Sequence, residues 1–158
     1  MLNIVTGRIN SSKTTKITEL YNLTKKGDGF VSIKKMNNDL VHSYDILRLA
    51  TNERKRLVIR DIYKDYEEEV CCQIGPYLFS TQIVGYIENT IRELIKNKVS
   101  PIYLDEIGLL ELDDLCFHNI FTEMLSSKLD LFVTIRKDLL KKVISKYKIK
   151  EYNIIDVD

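Results

Sequence analysis

The chain has 158 residues, enough to bury a core of its own, and a single domain spanning 1–158 is expected. With 44% hydrophobic and 30% charged residues and a net charge of +1, it has the balance of a water-facing globular protein and no basic field to attract nucleic acid. No apolar run reaches membrane-spanning length and nothing at the start reads as a signal peptide, so the expected location is the cytoplasm, with no membrane partner.

The apolar run Leu2–Val5 predicts a short buried strand. Directly after it, Gly7–Thr15 reads G-R-I-N-S-S-K-T-T, and Ile17, Leu20 and Tyr21 then recur at helical spacing. A strand, a glycine-led polar turn and a helix in that order make an anion nest, because backbone N–H groups and the helix N-terminus point into the turn. The stretch is one residue from the phosphate-binding pattern G-x-x-x-x-G-K-[ST], the P-loop or Walker A motif. Gly7, Arg8, Ile9, Asn10, Ser11, Ser12, Lys13, Thr14 and Thr15 are therefore the predicted phosphate-binding residues. In this pattern Lys13 is a point charge for the outer phosphates and the Thr14 hydroxyl is a magnesium ligand. The alternative is a polar turn with a chance lysine. Arg8 has three open roles: stacking on a base, contacting phosphate or facing solvent.

Ser12 stands where the pattern asks for its second glycine. If the loop needs a left-handed backbone there, the serine costs on the order of 1–3 kcal/mol. That is roughly five- to 150-fold in affinity. Weakened binding is the expectation.

Further along, Phe30–Lys34 alternates, Asn37-Asn38-Asp39 supplies a turn, Val41–Leu49 alternates again, and Thr51-Asn52-Glu53 turns before Leu57–Ile59. These residues predict an antiparallel meander. Tyr63–Glu69 reads as a solvated loop, and either Val70–Ile74 or Tyr77–Phe79 as a returning strand. Ser80 is the expected N-cap of a helix whose stripe is Ile83, Val84, Ile87, Ile91, Leu94 and Ile95. Pro101–Leu104 is an apolar strand ending in Asp105-Glu106. Asp113 or Asp114 is expected to cap a helix carrying Leu115, Ile120, Phe121, Met124 and Leu125. A strand over Leu131–Ile135, a helix over Leu139–Tyr147 and a strand over Tyr152–Val157 follow. Strands alternating with helices predict an α/β fold, a mainly parallel sheet covered on both faces, with the meander inserted after the first helix.

Two acids at the tip of an apolar strand complete the phosphate loop. An aspartate there holds the magnesium of P-loop enzymes (the Walker B position), usually through water, and an adjacent glutamate accepts a proton from attacking water. Asp105 and Glu106 occupy these positions. Arg136, at the tip of a later strand, either reaches a phosphate or faces solvent. Cys71, Cys72 and Cys116 form no C-x-x-C pair, and with only His42 and His118 beside them they read as reduced thiols, not as a metal cluster.

The segment Asp105-Glu106-Ile107-Gly108-Leu109-Leu110-Glu111-Leu112 resembles the D-E-I-G-x-x-E-L signature of the small P-loop nucleoside-triphosphatase family, also called the cancer-related nucleoside triphosphatase family. Gly29-Phe30-Val31, His42-Ser43-Tyr44-Asp45 with Leu47, Gly75-Pro76-Tyr77-Leu78-Phe79-Ser80 and Val133-Thr134-Ile135-Arg136 are similar to further family stretches in the same order. Ser12 departs from the family pattern.

The resemblance implies an NTPase: Mg2+ held by Thr14 and Asp105, Glu106 as base, and Lys13 and Arg136 supporting the phosphates. Gly108 and Glu111 fall on the signature, Gly108 as a position that allows an unusual backbone angle. Glu111 is either near the metal shell or bonded to nearby backbone. The implied reaction is slow hydrolysis of ATP or GTP, with no choice between the bases. A regulatory module with decayed hydrolysis and a small-molecule or nucleoside kinase are the alternatives. The sequence assigns no oligomeric state.

Overall fold

The computed structural model describes residues 1–65 and 67–158. Its strands are β1 (Leu2–Gly7), β2 (Asp28–Asn37), β3 (Leu40–Arg48), β4 (Arg54–Arg60), β5 (Val70–Ile74), β6 (Tyr77–Ser80), β7 (Ile102–Ile107), β8 (Leu131–Arg136) and β9 (Tyr152–Asp156). Its helices are α1 (Lys13–Thr24), α2 (Thr81–Lys96), α3 (Leu109–Leu112), α4 (His118–Ser126) and α5 (Leu140–Lys146).

All the strands join one sheet in the order β5-β6-β4-β3-β2-β7-β8-β1-β9. From β2 to β9 every pairing is parallel, and from β2 to β5 every pairing is antiparallel. The α/β architecture and the meander read from the sequence are both present. The long β2 is the hinge between the two halves: Asp28–Phe30 pair with β7, and Phe30–Asn37 pair with β3. Gly29 makes the first contact possible, because it holds φ 151° and a side chain there would run into the Tyr103 carbonyl.

Alternation along the central strands sends neighbouring side chains to opposite faces. Val31 and Tyr103 meet Ile17 and Tyr21 of α1, with Tyr103 edge-on to Tyr21 and stacked on Phe132. Phe30, Ile102 and Leu104 join the larger core on the other face, with Ile87 and Ile91 of α2 and Phe121 of α4. Helices on both faces explain why β7 and β8 are apolar runs.

Three details refine the sequence reading. Val70–Ile74 and Tyr77–Ser80 are both strands, an antiparallel hairpin turned at Gly75 (φ 53°). Ser80 does cap α2, its Oγ accepting the Ile83 N–H at 3.3 Å. Neither Asp113 nor Asp114 caps the start of the next helix, however: Asp113 closes α3 as its C-cap, and Phe117 is the N-cap of α4. Residues 109–112 fold into the short α3, Asp114 sits left-handed (φ 62°) and pairs with Lys146, and α4 starts only at His118. Leu115 is consequently outside the helix and exposed. In the loop 63–69, Tyr66 lies outside the described residues.

Candidate functional site

The C-terminal ends of the parallel strands carry the predicted site residues. β1 ends at Gly7, where a Cβ would stand 2.5 Å from Ser11 Oγ and 2.7 Å from Val157 Cγ2, so either side chain would have to shift to admit it. The Ser11 N–H donates to the Arg8 carbonyl at 3.1 Å and closes the loop. The left-handed residue is Asn10 (φ 60°), a type that tolerates this conformation. Ser12 has φ −83° and ψ 34°, so the left-handed cost expected for a missing glycine is absent. That expectation placed the strained backbone two residues too late.

Lys13 opens α1 and is buried; its Nζ donates to the Arg8 carbonyl (2.8 Å) and to Ser11 Oγ (3.3 Å), inside the loop. Asn10 Oδ1 accepts from Lys34 Nζ at 3.3 Å. Ile9 and Thr15 are exposed. The Arg8 N–H donates to the Asp158 carboxylate at 3.1–3.2 Å, and its guanidinium, 82% exposed, lies 3.5 Å from the same group.

Thr14 Oγ1 donates to Asp105 Oδ2 at 2.7 Å, which joins the loop to the tip of β7. Asp105 is buried and accepts two further bonds, from Thr134 Oγ1 on β8 (2.6 Å) and from the Ser32 N–H on β2 (3.0 Å). Ser32 Oγ also donates to the Asp105 carbonyl at 3.1 Å. Sequence reasoning missed Ser32 and Thr134 as site residues. For Thr134 a signal existed: a lone hydroxyl between Val133 and Ile135 in a strand buried on both faces needs a polar partner.

Glu106 points into the cleft. Solvent reaches its side chain, yet the surrounding walls strip enough water to push its pKa up to about 7. The Asp105 charge adds to this rise, and Lys13 and Arg136 oppose it.

Glu111 is buried at the wall of the same cleft, and its carboxylate is engaged by backbone. Its carboxylate accepts the Gly108 N–H (2.7 Å) and the Phe117 N–H (3.1 Å), the backward half of a capping box plus a tie to the next helix. Burial raises its pKa to about 6 against those bonds. Gly108 has φ −155°, outside the left-handed region, and a Cβ there would make ordinary contacts at 3.7–3.8 Å. It contributes its amide. Arg136 is held by Asp138 through Nε (2.6 Å) and a terminal nitrogen (2.8 Å).

Lys13, Thr14, Ser32, Asp105, Glu106 and Glu111 are among the residues that line a cleft of about 1050 Å³. Lys13, Thr14, Asp105, Glu106 and Arg136 form its polar end, and Tyr44, Tyr77 and Phe79 of the antiparallel half wall the other. Tyr44 and Tyr77 meet edge-on at 5.7 Å, and Arg60 lies over the Tyr77 ring. Among the described residues no group of three or more His, Cys, Asp or Glu converges as a metal cage. The Thr14 and Asp105 oxygens suit a hard cation that keeps its own waters and takes substrate phosphate oxygens.

The fold resembles that of THEP1 from the hyperthermophile Aquifex aeolicus, with a TM-score of 0.69 at 18% identity, covering 99% of this chain and 90% of that one. A human cancer-related nucleoside triphosphatase is similarly related, with a TM-score of 0.68 at 19% identity, covering 99% of this chain and 88% of that one. No curated protein matches the sequence. The sequence does match the NTPase family over residues 3–158, nearly its whole length, and the chain belongs to that family.

Proposed function

We propose that the protein hydrolyses the terminal phosphate of a nucleoside triphosphate in a magnesium-dependent reaction. One observation carries the reading: the Thr14–Asp105 bond fuses the phosphate loop and the acidic strand tip into one site. Glu106 opens into the same cleft.

The loop amides and the α1 N-terminus cradle the β- and γ-phosphates. Lys13 Nζ is already folded into the loop and exchanges its Arg8 and Ser11 partners for phosphate oxygens. Thr14 and Asp105 would hold Mg2+, which when bound supplies neutralisation of the phosphate charge. Glu106 accepts a proton from water as the water oxygen bonds to the γ-phosphorus. The bond from γ-phosphorus to the bridging oxygen breaks, and the diphosphate leaves with the electron pair. Positioning and charge neutralisation dominate such a transfer.

Turnover is slow, because Arg136, the arginine among the cleft-lining residues, is tied to Asp138 and must leave it to reach a phosphate. The reading makes no choice between ATP and GTP as the substrate. Decayed hydrolysis draws no support from the Ser12 backbone, which is not left-handed, and rests on whether its Cβ and hydroxyl crowd the phosphate. Residence in the cytoplasm fits the free cysteines, and no helix among the described residues is long and apolar enough to cross a membrane.

Calorimetric titration with ATP and with GTP tests the reading, with Mg2+ present and then chelated. Binding that needs Lys13 and strengthens with Mg2+ is expected; no binding under either condition contradicts it. The aromatic end of the cleft favours a second reading, in which a hydroxyl compound held there takes the phosphate in place of water. Mass spectrometry for a phosphorylated acceptor, with released phosphate measured in parallel, separates the two.

A further inference from the structure

Among the described residues, the cations that line the cleft are Lys13, Lys34 and Arg136. Arg136 is paired with a carboxylate, that of Asp138. The two lysines rest on neutral acceptors instead. Lys13 Nζ meets the Arg8 carbonyl and Ser11 Oγ, and Lys34 Nζ meets Asn10 Oδ1 at 3.3 Å. A carbonyl, hydroxyl or amide oxygen lacks the full charge of an anion, so each ammonium gains attraction by exchanging these partners for a phosphate oxygen. The sequence pattern accounts for Lys13 alone.

The surrounding contacts fix where Lys34 stands. Ser32, two residues earlier on β2, holds Asp105 through its N–H and its Oγ. Residues two apart in a strand share a face and lie about 7 Å from one another. Lys34 thus starts beside the tip of β7, the strand that carries Asp105 and Glu106, and its side chain crosses to Asn10, the left-handed residue of the phosphate loop. Across the ladder it pairs with Tyr44 of β3, so it marks the boundary between the polar and aromatic ends of the cleft. The other flank of the loop is held separately, by the Arg8 N–H on Asp158, beyond β9 at the far edge of the sheet. Lys34 therefore enters from the side on which Glu106 opens, where the terminal phosphate would meet water.

We propose that Lys34 binds the γ-phosphate and distinguishes a nucleoside triphosphate from its diphosphate. On binding, its ammonium leaves Asn10 Oδ1 for a γ-phosphate oxygen, on the opposite side from Lys13. The diphosphate product presents no group there, so Lys34 returns to Asn10 and the product is held without it. This role rests on the proposed function, because it needs a triphosphate seated in the loop. Lys34 is exposed, so its attraction is screened by salt.

Calorimetric titrations with ATP and with ADP, each with Mg2+, on the original chain, Lys34→Ala and Lys34→Arg test the role. Lys34→Ala should weaken ATP binding by about tenfold, the order of one hydrogen bond to a charged group. Its ADP affinity should equal that of the original chain, which also shows that the loop is still folded. The loss for ATP should shrink as salt rises. Lys34→Arg, which keeps the charge, should retain most of the ATP affinity. Equal weakening of ATP and ADP by Lys34→Ala, or no weakening of either, overturns the role of Lys34 and leaves the nucleotide site standing. Failure of the original chain to bind ATP contradicts the proposed function itself and overturns this role with it.

Discussion

Thr14 Oγ1 donates a 2.7 Å hydrogen bond to Asp105 Oδ2, which ties the first turn of α1 to the tip of β7. Thr134 and Ser32 hold the same carboxylate from the flanking strands, which fixes its orientation whether or not Thr14 is present. Thr14→Ala should therefore reduce magnesium-dependent phosphate release by about 100-fold, the order found when a preorganised charge-stabilising group is removed. Its stability cost should stay near about 1 kcal/mol, one hydrogen bond. Thr14→Ser should restore most of the activity. Phosphate release and urea unfolding on the three proteins check this.

Ser12→Gly should leave nucleotide affinity and turnover within about threefold of the original, a difference under 1 kcal/mol. The φ of −83° gives glycine no conformational advantage there. A gain of an order of magnitude in a titration would show that the bound loop adopts a different backbone. Gly7→Ala is the opposite case: its Cβ would collide with Ser11 and Val157, and both binding and thermal stability should drop.

Glu111 satisfies two buried amides, so Glu111→Ala should cost about 2–4 kcal/mol by leaving both without an acceptor. Its pH dependence has a definite sign. The folded-state pKa lies near 6, above the ordinary 4.5, because burial disfavours the charged form. Its stabilising contribution is then complete below about 4.5 and is lost as pH rises through about 6. The stability of the original chain relative to Glu111→Gln, read from urea unfolding between these pH values, should decline with rising pH.

Thr6 stands at the base of the phosphate loop with its Oγ1 buried and unpartnered among the described residues. Replacing the hydroxyl by a methyl removes a desolvated polar group without changing the shape. Thr6→Val should be neutral or stabilising in thermal unfolding, with nucleotide binding unchanged.

The parts of the site that depend on contiguous residue types were legible in the sequence. The loop from Gly7 to Thr15 and the acids Asp105-Glu106 each declare their chemistry through fixed spacing, and the apolar runs of β7 and β8 declare a sheet buried on both faces. What could not be read depends on strand order. Ser32 and Thr134 meet Asp105 only because β2, β7 and β8 are neighbours in the sheet. Asp113 and Asp114 were the obvious cap residues, but Glu111 had already bound the nearby amides, which moved the start of the next helix to His118. At Ser12 the motif identified the right loop, while the backbone put its left-handed residue at Asn10.

The most direct test of the central claim is the pH profile of phosphate release from ATP with Mg2+, for the original chain and for Glu106→Gln. Glu106 acts as base only when ionised, so the original rate should rise with pH through an inflection near 7 and level off above it. Glu106→Gln should be slower by about 100- to 10,000-fold above pH 7, the usual contribution of a positioned base, and should lack the inflection. Equal rates and matching profiles for the two proteins would contradict the assignment of Glu106 as the base of a nucleoside-triphosphatase site.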